Sequence, residues 1–117
     1  MTTQRIEKTI PQTQKMFDDY GHLNGDNDIL HYDHEFAVER GFRGTLGHGL
    51  MYTAYVCNLA AAKFGKEWNY RGRLTVKYVR GTCPGDNLVV SIEEDGTAQC
   101  ASQHDVTLVG KVSLAAL

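Results

Sequence analysis

Apolar residues crowd one stretch of this 117-residue chain. No charge occurs between Arg43 and Lys63, and Leu50, Met51, Tyr52, Ala54, Tyr55, Val56, Leu59, Ala60, Ala61 and Ala62 fall on nearly every side of a 3.6-residue period. The pattern predicts a helix over 49–64, stopped by Gly65. A helix apolar all round has to be buried, so some other element must wrap it. The C-terminal half offers candidates. Leu74, Val76 and Tyr78 alternate with Thr75, Lys77 and Val79, the period of two that marks a strand over 74–79. Residues 87–94, 97–102 and 106–114 read as three further strands. Pro84-Gly85-Asp86 turns the chain, Asp95-Gly96 is a two-residue hairpin signal, and another turn falls at His104-Asp105. Short connections make such strands antiparallel.

The N-terminal half is more polar. Residues 5–10 form a short strand in this reading. Pro11 opens a helix over 12–20 with Met16, Phe17 and Tyr20 on one side, ending at Gly21. Asn24-Gly25-Asp26-Asn27-Asp28 is a dense turn cluster. Asp33 caps a helix over 34–40, with Arg40 in its last turn and Gly41 just beyond. A glycine-rich loop follows over 41–47, and Trp68 is placed in a loop that covers one end of the core. The fold class is α+β: one domain over 1–117, an antiparallel sheet around one long buried helix.

Composition narrows the partners. Hydrophobic residues are 42% and charged residues 22%, which excludes an intrinsically disordered chain. The length allows one core and no second domain. A net charge of −2 gives no electrostatic footprint for nucleic acid, and no Lys/Arg run suggests a membrane-surface patch. Residues 1–10 lack the apolar core of a secretory signal, and no apolar run is long enough to span a membrane. Cys57, Cys83 and Cys100 are odd in number and widely spaced, fitting neither a disulfide framework nor a zinc pattern. They read as small hydrophobes in a reducing, cytoplasmic setting, and no metal site is expected.

Chemistry concentrates at Asp26, His31 and His48-Gly49. Asp26 and His31 lie five residues apart across a turn. A carboxylate and an imidazole facing one small space can bind and deprotonate a water. Gly49 opens the apolar helix, where the first backbone N–H groups have no partner within the helix, and it has no side chain to keep a substrate oxygen away. Singly, each residue reads equally as part of a turn or as a solvated side chain. Their order and spacing say more.

The run Gly25-Asp26-Asn27-Asp28-Ile29-Leu30-His31-Tyr32-Asp33, then Phe36-Ala37, Gly41-Phe42 and Gly47-His48-Gly49-Leu50, resembles the MaoC-like (R)-specific enoyl-CoA hydratase family. That family carries a D-x-N-P-L-H-x-D loop and, eighteen residues past its His, the Gly of an H-G-M segment. Here His31 to Gly49 is also eighteen (49 − 31). Pro84-Gly85-Asp86 is similar to the family's P-G-D turn. The resemblance implies a hotdog fold that works as a homodimer, in fatty-acid metabolism. It implies addition or removal of water at the double bond of an enoyl-CoA, with Asp26 and His31 managing the protons and the Gly49 N–H as oxyanion donor. It implies no cofactor, the CoA being part of the substrate. One side of the helix then lines the acyl group, giving Tyr52 and Cys57 as substrate-binding candidates with Ile29 and His48. In relatives the His at position 48 packs and hydrogen-bonds the loop. Arg71, Arg73, Lys77 and Arg80 fit either contact with CoA phosphates or a solvated strand face.

Asp28 and Ile29 depart from the family's Asn and Pro, and Cys57 stands where some relatives have Ser. Two other readings remain: a hotdog acyl thioesterase, disfavoured because residues 49–64 contain no acid, and a non-catalytic hotdog subunit of a heteromeric dehydratase, disfavoured because Asp26 and His31 are both present.

Overall fold

A computed structural model describes residues 4–117. The elements are β1 (Ile6–Pro11), α1 (Gln14–Asn24), a 3-10 turn (Ile29–His31), α2 (His34–Glu39), α3 (Gly49–Phe64), α4 (Glu67–Arg71), β2 (Gly72–Tyr78), β3 (Asn87–Ile92), β4 (Thr97–Ala101) and β5 (Val106–Leu114). The five strands make one sheet in the order β1-β3-β4-β5-β2, and every pair is antiparallel. The sheet packs around the long helix α3, which is a hotdog fold. Among the described residues no helix is long and apolar enough to cross a membrane.

Burial follows the period-2 pattern where the strands meet α3. Leu88, Val90 and Ile92 of β3, Ala98 and Cys100 of β4, and Leu108 and Val112 of β5 point inward against Met51, Tyr52, Val56, Leu59 and Ala60. Each fully buried Leu, Ile or Val contributes roughly 1.5–3 kcal/mol. Phe17 of α1 closes the core beside the start of α3.

Several sequence expectations need correction. The helix α3 is not buried all round: Leu50, Ala54, Asn58 and Ala62 form an exposed i, i+4 stripe, and Leu50 is 59% exposed. One five-stranded sheet curves around only part of a helix. Pro11 does not open α1. It is the last residue of β1, an edge strand where the missing N–H costs no ladder bond. The helix starts after Thr13, whose hydroxyl accepts from the Met16 N–H.

Nor does Gly21 end α1. The helix runs on to Asn24 and stops at Gly25, whose left-handed φ of 75° suits glycine. Gly21 is instead buried under Tyr32, whose hydroxyl occupies the space of a β-carbon. Trp68 belongs to α4 rather than to a loop, and stacks on Phe64 at 5.9 Å. The Asp33 cap of α2 matches the expected element, whereas the β3–β4 hairpin turns at Glu94-Asp95, with Gly96 following at a φ of 92°, rather than at a two-residue Asp95-Gly96 turn.

Candidate active site

The loop from Asn24 to Asp33 is folded by its own acids. Asn24 Oδ1 accepts from the Asp26 N–H, Asp26 Oδ1 from the Asp28 N–H, and Asp28 Oδ1 from the Leu30 N–H. These three short bridges wind the segment into the 3-10 turn that ends at His31. Asp28, where the family has Asn, keeps this capping role through its carboxylate. The Tyr32 hydroxyl donates to the Asp26 carbonyl and ties the loop to α1 through its seat on Gly21.

The second segment of the site is the stretch 45–49. The Thr45 hydroxyl donates to Gln14 Oε1, whose amide also donates to the His31 carbonyl at 2.8 Å. The Gly47 N–H donates to the Thr82 carbonyl at 2.9 Å. A β-carbon at Gly47 would stand 2.6 Å from Tyr52 Oη and 2.7 Å from Thr82 Oγ1, so only glycine fits. The chain then enters α3 with His48 as the residue before the first turn.

These two segments bring Asp26, His31 and His48 together. Asp26 Oδ2 lies 3.2 Å from His31 Nε2 and 3.2 Å from His48 Nδ1. The outer nitrogens are held as well: His31 Nδ1 is 2.8 Å from the Leu46 carbonyl, and His48 Nε2 is 2.9 Å from the Phe17 carbonyl. The two imidazoles stack at 3.9 Å with 24° between their planes. The side chain of His48 is 2% exposed, that of His31 15% and that of Asp26 37%. The Asp28 N–H holds the Asp26 carboxyl below the usual carboxylate range, outweighing the opposing effect of burial, with smaller help from His48 and His31.

The three donor atoms lie within 4.8 Å of one another, close enough to raise the question of a metal ion. The ring geometry does not suit one. An imidazole lone pair lies in its ring plane, and two stacked planes do not converge on one point at the ~2.1 Å of a metal–nitrogen bond.

Gly49, the next residue, starts the 16-residue helix α3, and its N–H has no partner among the described residues. A cavity of about 550 Å³ opens against it, walled by Leu46, Gly47, Gly49, Tyr52, Tyr78 and Arg80. The Tyr78 ring packs over Gly49, and its hydroxyl bonds Thr53 Oγ1 at 2.6 Å. The cavity reaches Gly49, but neither Asp26 nor His31 lines it.

The remaining sequence candidates separate. Tyr52 walls the cavity, yet its hydroxyl is committed to Thr82. Cys57 is half-buried two turns along α3 and lines none of the main cavities. Ile29 is 44% exposed on the 3-10 turn. Arg71 bonds Glu67 and the Ala115 carbonyl, a structural use, whereas Arg80 stands at the cavity. Sequence reasoning missed Tyr78 and Tyr32. Each lies far in sequence from the glycine it covers, so no local motif marks either one.

The model of the MaoC-like domain family matches residues 1–115. Solved structures share the fold at low identity. An R-hydratase of Pseudomonas aeruginosa aligns with a TM-score of 0.74 and 18% identity, over 100% of this chain and 83% of that one. An (R)-hydratase of A. caviae involved in PHA biosynthesis gives 0.76 and 16%, over 97% and 96%. The ChsH1–ChsH2 complex of Mycobacterium tuberculosis gives 0.79 and 15%, over 96% and 94%. Among curated proteins no match is found.

Proposed function

Because the chain belongs to the MaoC-like domain family, we propose that it is a hydro-lyase acting at the 2,3 double bond of an acyl-CoA thioester. The observation that carries this reading is the Asp26–His31 contact of 3.2 Å on the same short structure as the unpartnered Gly49 N–H. In hydration the Asp26–His31 pair takes a proton from water as the hydroxide adds to C3, and a proton is delivered to C2. The Gly49 N–H donates to the thioester oxygen as enolate charge develops there, at the positive end of α3. Dehydration runs the same steps in reverse.

The working unit in this reading is a homodimer. The cavity touches Gly49 without touching the Asp26–His31 pair, the Leu50–Ala54–Asn58–Ala62 stripe of α3 is uncovered, and β2 is an edge strand with Tyr78 exposed. A second subunit laid along that side would complete a channel for the substrate. The acid-free helix α3 argues against thioesterase chemistry.

The test uses the purified chain with crotonyl-CoA and longer enoyl-CoAs. Loss of the conjugated enoyl-thioester absorbance, without thiol release to a thiol reagent, is expected. Thiol release would instead assign a thioesterase. No turnover by the chain alone, restored by a second hotdog protein, would assign a subunit of a heteromeric enzyme. Light scattering should give twice the 13.0 kDa chain mass.

A further inference from the structure

The 3-10 turn that carries His31 ends, like any helix, with carbonyls that have no partner inside it. Two of these are met from outside. The Leu46 N–H donates to the Leu30 carbonyl at 3.0 Å, and Gln14 Nε2 donates to the His31 carbonyl at 2.8 Å. The Gln14 amide has two hydrogens and one acceptor oxygen, and each has a partner. Its other hydrogen reaches Asp18 Oδ1, one helical turn on, at 2.9 Å. Its oxygen accepts from the Thr45 hydroxyl at 2.5 Å, and Thr45 is 2% exposed. Only one orientation of the amide fits. Turned over, its oxygen would face the His31 carbonyl and the Asp18 carboxylate, both of them acceptors.

We propose that Gln14 is a positioning residue that fixes His31 against Thr45, a role that rests on the hydration reaction proposed above. The two partners of its amide belong to the two segments that build the site. His31 lies on the turn, and Thr45 lies four residues before Gly49 (49 − 45). Between these partners the Leu46 peptide joins the same two segments. Its N–H goes to Leu30, and its carbonyl accepts from His31 Nδ1 at 2.8 Å. The Gly47 N–H then anchors the segment on the Thr82 carbonyl. Gln14 is the first residue of α1, so its amide also ties this unit to a helix.

Gln14 does not line the cavity at Gly49, and no bond joins it to the Asp26 carboxylate among the described residues. Its effect on turnover therefore runs through His31. Without the amide, the His31 carbonyl loses its donor and the peptide is free to turn, carrying the imidazole away from Asp26. Misplacing a reacting group by about 1 Å can cost about 10²-fold in rate. The Leu46 bonds remain in place, so a loss of about tenfold is expected.

Kinetics on crotonyl-CoA separate this role from simple packing. Gln14→Met keeps the length of the side chain and removes the amide. Thr45→Val keeps the buried shape and removes the hydroxyl, whereas Thr45→Ser retains it. In Gln14→Met and Thr45→Val, kcat should fall about tenfold with KM within about twofold of wild type, and Thr45→Ser should restore kcat. Added to His31→Ala, Gln14→Met should cost nothing more, because the group it positions is gone. Wild-type kcat in both Gln14→Met and Thr45→Val would overturn the proposal. So would an undiminished loss from Gln14→Met in the His31→Ala background.

Amide hydrogen exchange followed by NMR tests the staple without substrate. The Leu46 N–H should exchange about tenfold faster in Gln14→Met and Thr45→Val, measured against the amides of the interior strand β3 in the same protein. An unchanged ratio in both variants would overturn the staple even if the enzyme is active. If the wild-type chain hydrates no enoyl-CoA, the catalytic role falls with the reaction assignment, and the exchange ratio still decides whether Gln14 holds the turn.

Discussion

Replacing Tyr52 by Phe removes one oxygen from a buried seam and leaves the ring in place. Thr82 Oγ1 donates to Gln12 Oε1 at 2.8 Å, so it must accept from the Tyr52 hydroxyl, also at 2.8 Å. Tyr52 Oη in turn accepts from the Thr82 N–H at 2.8 Å. Every hydrogen in this chain has one direction. Burial pushes the Tyr52 phenol up, outweighing its bonds to Thr82, so it remains a donor across the working pH range. The Tyr52→Phe variant leaves a buried backbone N–H with no acceptor, a loss of about 1–3 kcal/mol. At roughly 4 °C per kcal/mol for a chain of this size, Tm should fall by about 4–12 °C.

Thermal unfolding followed by circular dichroism measures this. Thr82→Val should show a loss of its own, and the double variant should lose less than the sum, since both remove the same bond. A Tm within about 1 °C of wild type for Tyr52→Phe, or strict additivity, would refute the reasoning. The seam matters beyond stability. The Thr82 carbonyl holds the Gly47 N–H, so the same residues set where α3 begins.

Three further outcomes follow from the same geometry. Burial would raise the Asp86 carboxyl, but the Arg43 guanidinium at 2.7 Å and the Cys83 N–H at 3.0 Å outweigh it and hold the group below the usual range. A depressed folded value gives stability that is complete above the ordinary carboxylate range and lost as pH falls through the folded value. Asp86→Asn should therefore lose about 1–2 kcal/mol at pH 7, with half-exposed Arg43 limiting the loss, and show a flatter acid limb in urea melts; an unchanged limb contradicts the pairing. Gly21→Ala drives a methyl into the Tyr32 hydroxyl; overpacking costs of about 1–3 kcal/mol should outweigh the helix gain of about 1 kcal/mol. A more stable variant by urea titration would contradict the packing. Burial pushes the Cys100 thiol up to about 12, so mass spectrometry should find Cys100 unmodified by iodoacetamide at pH 8 until the protein is unfolded.

What the sequence revealed depended on how local the cause was. The bounds of α3 and the Asp33 cap are written in neighbouring residues, and both match. The turn that sets Asp26 beside His31 was legible because its spacing and its turn-forming acids are local too. The course of α1 through Gly21 was not, because its cause is Tyr32, eleven residues on (32 − 21). The exposed stripe of α3 was hidden for a related reason. Apolar residues all round a helix report that it will be covered, but not whether its own chain does the covering. The third group of the site, His48, stands in the sequence as a substrate-binding candidate beside Gly49, and only the fold sets it against the Asp26 carboxylate.

The central claim is that Asp26 and His31 carry a hydration reaction, and single-substitution kinetics on an enoyl-CoA test it most directly. Turnover of crotonyl-CoA, or of the best substrate in the chain-length series, should fall about 10²–10⁴-fold in both Asp26→Asn and His31→Ala while the variants stay folded. Wild-type-like kcat/KM in either variant would contradict the account.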